Sequence, residues 1–219
     1  MNIALVVITD GRQHCITETL RSIDENLHGD FASRFIIDDS GDSAYHEWLV
    51  KTYGSQYIVI HHAERRGLAA ALRTAWTMAL AGGVDYIWHA EDDMVYSTSV
   101  DVAELADLLE KHEGVAQISL KRQPVNAEEK AAGGFIELHP WDFHQRDGYV
   151  AHQTLFTFNP CLLPRRIAEL AMREPGDGLE RGITDTLLHR GYTFAILGSL
   201  DDAPRVTHIG DQRSAGWKP

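Results

Sequence analysis

Tyr86-Ile87-Trp88-His89-Ala90-Glu91-Asp92-Asp93 is the stretch from which the chain is read: a short apolar run ending in three consecutive carboxylates. Three acids at the exit of a buried strand repel one another and resist burial, so a compensating charge is expected beside them. A divalent cation supplies one, because hard Mg2+ or Mn2+ prefers carboxylate oxygen and leaves positions open for phosphates. The alternative is a solvated turn whose Asp caps the next helix.

Upstream of that run, Ile3–Ile8 is a continuous β-branched stretch bounded by Thr9-Asp10-Gly11, the pattern of a fully buried strand. Ile16, Leu20, Ile23 and Leu27 then recur at helical spacing. Phe35-Ile36-Ile37 predicts a second strand, closed by Asp38-Asp39-Ser40-Gly41-Asp42, and a helix with Trp48 and Leu49 follows. Tyr57–Ile60 predicts a third strand, ending at His61-His62. Gly67 opens a helix carrying Leu68, Leu72, Trp76 and Leu80, which Gly82-Gly83 stops.

Downstream, Asp101 and Glu104 form a capping pair for a helix with Val102, Leu105 and Leu109, and Val115–Leu120 predicts strand five. Strands thus alternate with helices through the first 120 residues. That order predicts an α/β fold, a mostly parallel sheet with helices on both faces. Ligands in such sheets bind beyond the carboxyl ends of the strands, where Asp10, Asp38-Asp39 and Glu91-Asp92-Asp93 all fall.

The later part is less regular. Lys121–Gln145 reads as the loosest region, Val150–Phe158 as β-rich, and Pro164 as the first turn of a helix with Ile167, Leu170 and Ala171. Thr184 is expected to cap a short helix Asp185–Arg190 ended by Gly191. Tyr192–Leu197 and Arg205–Ile209 predict late strands, and Gly210–Pro219 a mobile tail.

With 219 residues the chain is expected to be one domain, with a regularly alternating half at 1–120 and a less regular half at 121–209. Twenty Lys and Arg against 32 Asp and Glu give a net charge of −12, which disfavours nucleic acid and anionic membrane as partners. The start lacks a basic region and the length of a signal peptide or span, and nothing else is long and apolar enough to cross a bilayer. Cys15 and Cys161 have no metal-type spacing and read as reduced, buried thiols, so a cytoplasmic location is expected.

Four stretches resemble the GT-A fold glycosyltransferases of the family-two type: Ile36–Asp42, Glu64–Ala71, Glu91-Asp92-Asp93, and Thr184-Asp185 with Leu187-Leu188, Arg190 and Gly191. Arg65 stands where the family usually has Asn, Leu72-Arg73 where it has Arg-Asn, and Thr184 where it commonly has Glu. The resemblance implies an inverting, metal-dependent transfer from a nucleoside-diphosphate sugar, UDP-linked, to an acceptor hydroxyl on a glycan, lipid, protein or modified nucleobase. It implies that Asp39 accepts the uracil imide hydrogen and that Asp38 supports the ribose or the strand end. Thr9, Asp10, Glu91 and Asp92 then belong to the donor site, with Arg66 as a diphosphate clamp. Asp93 and His208 become the ligands of Mn2+ or Mg2+, and Asp185 the general base, with Asp177 and Glu180 as rivals. Trp88, Trp141, Trp217 and Tyr149 are candidates for stacking on sugar faces. A sugar-phosphate nucleotidyltransferase is the nearest alternative, although Thr9–Gln13 is not a glycine-rich phosphate loop. A non-catalytic nucleotide- or sugar-binding module is the other.

Overall fold

The strand β1 (Ile3–Thr9) is buried along its whole length, and its side chains alternate between two cores: Ile3, Leu5 and Val7 in one, Ala4, Val6 and Ile8 in the other. It is therefore an interior strand of a sheet covered on both faces. The computed structural model describes residues 1–173 and 180–210. Asp177, Trp217 and the expected tail beyond Gly210 lie outside the described residues.

From β1 the chain continues through α1 (Gln13–Asn26), β2 (Leu27–His28), β3 (Phe31–Asp38), α2 (Ser43–Tyr53), β4 (Ile58–His61), α3 (Leu68–Ala81) and β5 (Tyr86–Glu91). The short β6 (Met94–Tyr96) and β7 (Val100–Asp101) precede α4 (Val102–Lys111) and β8 (Val115–Ser119). Then come α5 (Ala127–Ala132), α6 (Phe135–Leu138), β9 (Phe143–Gln145), β10 (Tyr149–His152), β11 (Cys161–Pro164), α7 (Arg165–Arg173), α8 (Glu180–His189), β12 (Thr193–Leu197) and β13 (Val206–His208).

Nine strands form one sheet in the order β4-β3-β1-β5-β11-β8-β12-β10-β9. All but β10 and β11 run in the same sense, so the sheet is mostly parallel. One core joins apolar residues of α1, α2 and α4 to the sheet, among them Ile16, Leu20, Leu49 and Leu105. The other joins Leu72 and Trp76 of α3, Ile167 of α7, and Ile183 and Leu187 of α8. Helices thus cover both faces, as the alternating pattern predicts.

Three parts of the second half differ from the sequence reading. The strand β11 inserts antiparallel between β5 and β8, and Pro164 is its last residue rather than the first of a helix. Only four residues long, it lacks a readable period. Second, α8 runs from Glu180 to His189, so Thr184 and Asp185 lie inside it. The buried Thr184 hydroxyl donates back to the Glu180 carbonyl (2.6 Å) and accepts the Phe156 N–H (2.8 Å). Third, the region from Lys121 to Gln145 is ordered around an Asn126 cap and the Glu129 carboxylate. Asn126 accepts the Glu129 N–H (2.8 Å), and the buried Glu129 carboxylate takes both Nη atoms of Arg122 (2.7 and 3.0 Å).

Candidate active site

The carboxyl ends of β1 and β5 meet because the two strands pair in register, Ile8 opposite Glu91. That pairing sets the β1–α1 loop beside the acidic exit of β5. Arg12, from the loop, extends into the acids. Its Nε donates to Asp10 Oδ1 (2.8 Å), Nη1 to Asp93 Oδ2 (2.6 Å), and Nη2 makes a short ion pair with Asp92 Oδ1. Burial alone would lower the Arg12 pKa, yet the three carboxylates raise it above its ordinary value, so it stays a full cation. The compensating charge expected from the sequence is, in the chain itself, a guanidinium. Arg12 was not among the residues singled out from the sequence, because its partners Asp92 and Asp93 lie about 80 positions away.

Each acid has a distinct setting. Asp92 is almost fully buried and accepts from Thr9 Oγ1 (2.6 Å), whose own oxygen accepts from Tyr45 Oη (2.7 Å). Burial pushes the Asp92 carboxyl up to about 7, against the pull of Arg12 and Thr9. For Asp93, burial also acts upward, but the hydrogen bond from His208 and the charge of Arg12 outweigh it and hold the group below the usual carboxylate range. Glu91 is pushed well above that range by burial and by the neighbouring charges of Asp93 and Glu180.

The ends of β6 and β13 complete this side. The strands pair antiparallel with His208 opposite Met94, which brings His208 Nε2 to 3.2 Å from Asp93 Oδ2. The Gln123 side chain clamps the His208 backbone through both of its amide atoms (2.9 and 3.0 Å). Gly210 passes so close that a Cβ there would run into Asp93 Oδ2 and Arg12 Nη1. Asp93 Oδ1 is buried with no hydrogen-bond partner. With Oδ1 orphaned and Oδ2 facing His208 Nε2, the carboxylate and imidazole are a donor set that fits Mn2+, so Asp93 and His208 fit the metal role. A cleft of about 610 Å³ opens at Arg12, lined also by Gly11, Gln13 and the start of α1.

Asp39 follows the end of β3 and is held by several donors. It is fully buried, with Oδ1 accepting His62 Nδ1 (2.7 Å) and the Arg66 N–H (2.9 Å), and Oδ2 accepting the Gly67 N–H (2.7 Å). Gly67 has φ of +86° and no side chain to cap α3, so Asp39 supplies the cap from another element. This makes Asp39 a structural pin for the start of α3. Asp38 is equally buried, accepts the Ser40 N–H (3.0 Å) and lies 2.9 Å from His61 Nδ1. The Arg66 side chain is exposed, while Arg65 Nη2 donates to the Asp10 carbonyl (2.9 Å).

On the other side of the crevice, Asp185 is exposed within α8 rather than at its start. Glu180, in the first described turn, accepts the Phe158 N–H (2.7 Å), and burial raises its pKa against that bond and one from Thr157. Its charge is felt at Glu91, whereas Asp185 is not among the groups acting on the crevice acids. Of the aromatic candidates, Trp88 is fully buried with its Nε1 bound to Tyr96 Oη (2.9 Å), Tyr149 is buried, and Trp141 is exposed.

A mostly parallel sheet with helices on both faces and an acid-lined crevice at its strand ends is the GT-A architecture of glycosyltransferases. Residues 4–169 match the sequence profile of glycosyl transferase family 2, and the chain belongs to that family. No curated protein sequence matches it. Among solved structures it is similar to the mannosyltransferase PcManGT from Pyrobaculum calidifontis in complex with GDP-Man and Mn2+, at 15% identity and a TM-score of 0.61 over 97% of this chain and 58% of that one. It is similar to GalNAc-T7 with UDP, GalNAc and Mn2+, at 12% identity and 0.66 over 96% and 44%. For TarS 1–349 of S. aureus with UDP-GlcNAc the values are 15% and 0.60, over 97% and 59%. The chain therefore spans about half the length of these structures. Among the described residues no helix is long and apolar enough to cross a membrane.

Proposed function

We propose that this chain transfers a glycosyl group, with inversion, from a nucleoside-diphosphate sugar to an acceptor hydroxyl. The observation that carries the reading is the crevice at the ends of β1 and β5, where Asp10, Asp92, Asp93, Arg12 and His208 converge in a family-two fold. A UDP-sugar is the proposed donor, since GalNAc-T7 and TarS were solved with UDP or UDP-GlcNAc, with a GDP-sugar as for PcManGT the alternative.

Asp93 and His208 would hold Mn2+ or Mg2+, which when bound supplies positive charge to the departing diphosphate. Arg12 already lies on Asp93 Oδ2, so its guanidinium is positioned to turn from carboxylate to diphosphate oxygens, which it fits equally well. Thr9 and Asp10 fix the floor of the donor site, and Arg66 is a proposed contact from its rim. Glu91, whose carboxyl burial and the neighbouring acids push upward, is a proposed contact to the sugar or ribose, with Asp92 beside it.

The proposed base is Glu180 in place of Asp185. Burial and the raised pKa of Glu180 support the assignment, because a base is most effective when its pKa approaches the working pH. The acceptor oxygen attacks the anomeric carbon as its proton passes to Glu180. The anomeric bond to the diphosphate oxygen breaks, and its electron pair leaves with the nucleotide. The test is isothermal titration with UDP and GDP, each with and without Mn2+, followed by a donor-hydrolysis assay. Ion-dependent nucleotide binding and hydrolysis are expected. Nucleotide binding indifferent to the ion, with no hydrolysis of any donor, would overturn the reading.

A further inference from the structure

We propose that Asp38, His46 and His61 form a second divalent-ion site, separate from Asp93 and His208, which takes an imidazole-preferring ion of the Zn2+ type. The site is assembled from three elements. Asp38 ends β3, His61 is its register partner at the end of β4, and His46 stands in the first half of α2. Their nearest ligand atoms all lie within 4.8 Å of one another, and among the described residues no other three His, Cys, Asp or Glu side chains meet that spacing. Asp38 Oδ2 is 2.9 Å from His61 Nδ1 and 3.7 Å from His46 Nδ1. These two values bracket the ligand-to-ligand separation of about 3.3 Å that tetrahedral bonds of about 2.0 Å impose.

Hydrogen bonding leaves the cluster incomplete. His62 and Asp39, one residue further along each strand, form an ordinary pair: Nδ1 bonds Asp39 (2.7 Å), and Nε2 bonds Thr74 Oγ1 (3.0 Å). His46 and His61 stack face to face instead, with ring centroids 4.6 Å apart and planes 21° from parallel. Both turn Nδ1 towards one carboxylate oxygen. A single proton satisfies one of those nitrogens, and His46 Nδ1 is buried without a partner. Protonating both rings would set two like charges against each other. A divalent ion between the three lone pairs satisfies all of them at once. The Ser40 N–H on Asp38 Oδ1 (3.0 Å) already fixes the carboxylate so that Oδ2 faces the rings.

The donor set also separates this site from the first. Two imidazoles and one carboxylate suit Zn2+, Fe2+ or Co2+, whereas Mg2+ prefers oxygen and gives up water reluctantly. Three protein ligands leave a fourth position for water or an anionic ligand, and the partial exposure of His46 (28%) and His61 (16%) gives that position access. An ion there also ties α2 to the ends of β3 and β4, next to Asp39 and the start of α3.

The inference does not depend on the glycosyl-transfer reading, and metal binding tests it. Chelator-stripped protein is titrated with Zn2+ and with Co2+, for the parent and for His46→Gln, His61→Gln and His208→Ala. One Zn2+ per chain is expected, retained in His208→Ala and weakened at least about tenfold in His46→Gln and His61→Gln. Co2+ on the parent chain should give the intense visible bands of a tetrahedral nitrogen and oxygen site, a readout independent of how any variant folds. Pale octahedral bands on the parent would overturn the proposal. So would unchanged Zn2+ affinity in His46→Gln, or binding lost in His208→Ala.

Discussion

Glu180 and Asp185 sit five positions apart on one helix in different environments. Glu180 is pushed up by burial and its charge raises the Glu91 pKa, whereas Asp185 is turned to solvent. A base must be ionised to act, so turnover should rise with pH through the Glu180 pKa, on an acid limb above the ordinary Glu range. Glu180→Gln should lower kcat by about 10²–10⁴ and remove that limb, with nucleotide affinity kept. Steady-state kinetics from pH 4 to 8 on parent and variant check this, and an acid limb that survives in the variant would return the role to another acid.

Arg12 carries a second prediction at the same scale. Removing the guanidinium leaves Asp10, Asp92 and Asp93 mutually repelling in a site where Arg12 itself is only 11% exposed. Arg12→Gln should therefore cost about 3–5 kcal/mol in denaturant unfolding. Mn2+ bound at Asp93 and His208 replaces part of the missing charge, so millimolar Mn2+ should recover much of the loss. Equal destabilisation with and without Mn2+ would argue against an ion at those residues.

Among the elements, α3 depends on a cap it does not encode. Asp39→Ala strands the Arg66 and Gly67 N–H groups and His62 Nδ1, at about 1–3 kcal/mol for each donor left unpaired. Unfolding measurements should show that loss while UDP affinity, measured on the folded protein, changes less than about threefold. A large selective loss of UDP affinity would restore Asp39 to the nucleotide site. The same element scale shows what the sequence discloses. β1, β3 and β5 are legible as short continuous apolar runs and α1, α3 and α4 by their helical period, and strand ends then point to the crevice without further information. β11 is too short to carry a period. The donors that hold Asp39 come from residues 62–67, so its capping of α3 does not show in the sequence, and Arg12 reads as a loop residue because its anions are distant in sequence. Glu180 was legible only as a rival, since the longer helix that includes it follows from the buried faces of Ile183 and Leu187.

Across the whole molecule, acid sensitivity follows from a histidine in the middle of the sheet. His89 is fully buried on β5, and burial lowers its pKa from 6.5 to about 3. Above pH 6.5 the ring is neutral whether the chain is folded or not. Between 6.5 and 3 the unfolded chain takes up a proton that the folded one refuses, so this contribution to stability falls on acidification, by about 1.4 kcal/mol per pH unit. The crevice acids Glu91, Asp92 and Glu180 act in the opposite sense, because raised carboxyl pKa values favour the folded state at low pH. Comparison with His89→Leu isolates the histidine. The stability difference between parent and variant should shift in the variant's favour as pH drops from 6.5 to 4.5, and a difference independent of pH would contradict the burial argument.

The family assignment and the two-sided crevice converge on one reaction, and the rate of nucleotide release tests it most directly. Nucleoside diphosphate released from the donor sugar that binds is followed with Mn2+ for parent, Glu180→Gln, Asp185→Asn and Asp93→Asn prepared side by side. The account predicts ion-dependent release by the parent, near-parental release by Asp185→Asn, and a fall of about 10²–10⁴ in Glu180→Gln. It also predicts that Asp93→Asn loses its response to Mn2+. Parental release by Glu180→Gln together with collapse in Asp185→Asn would contradict it.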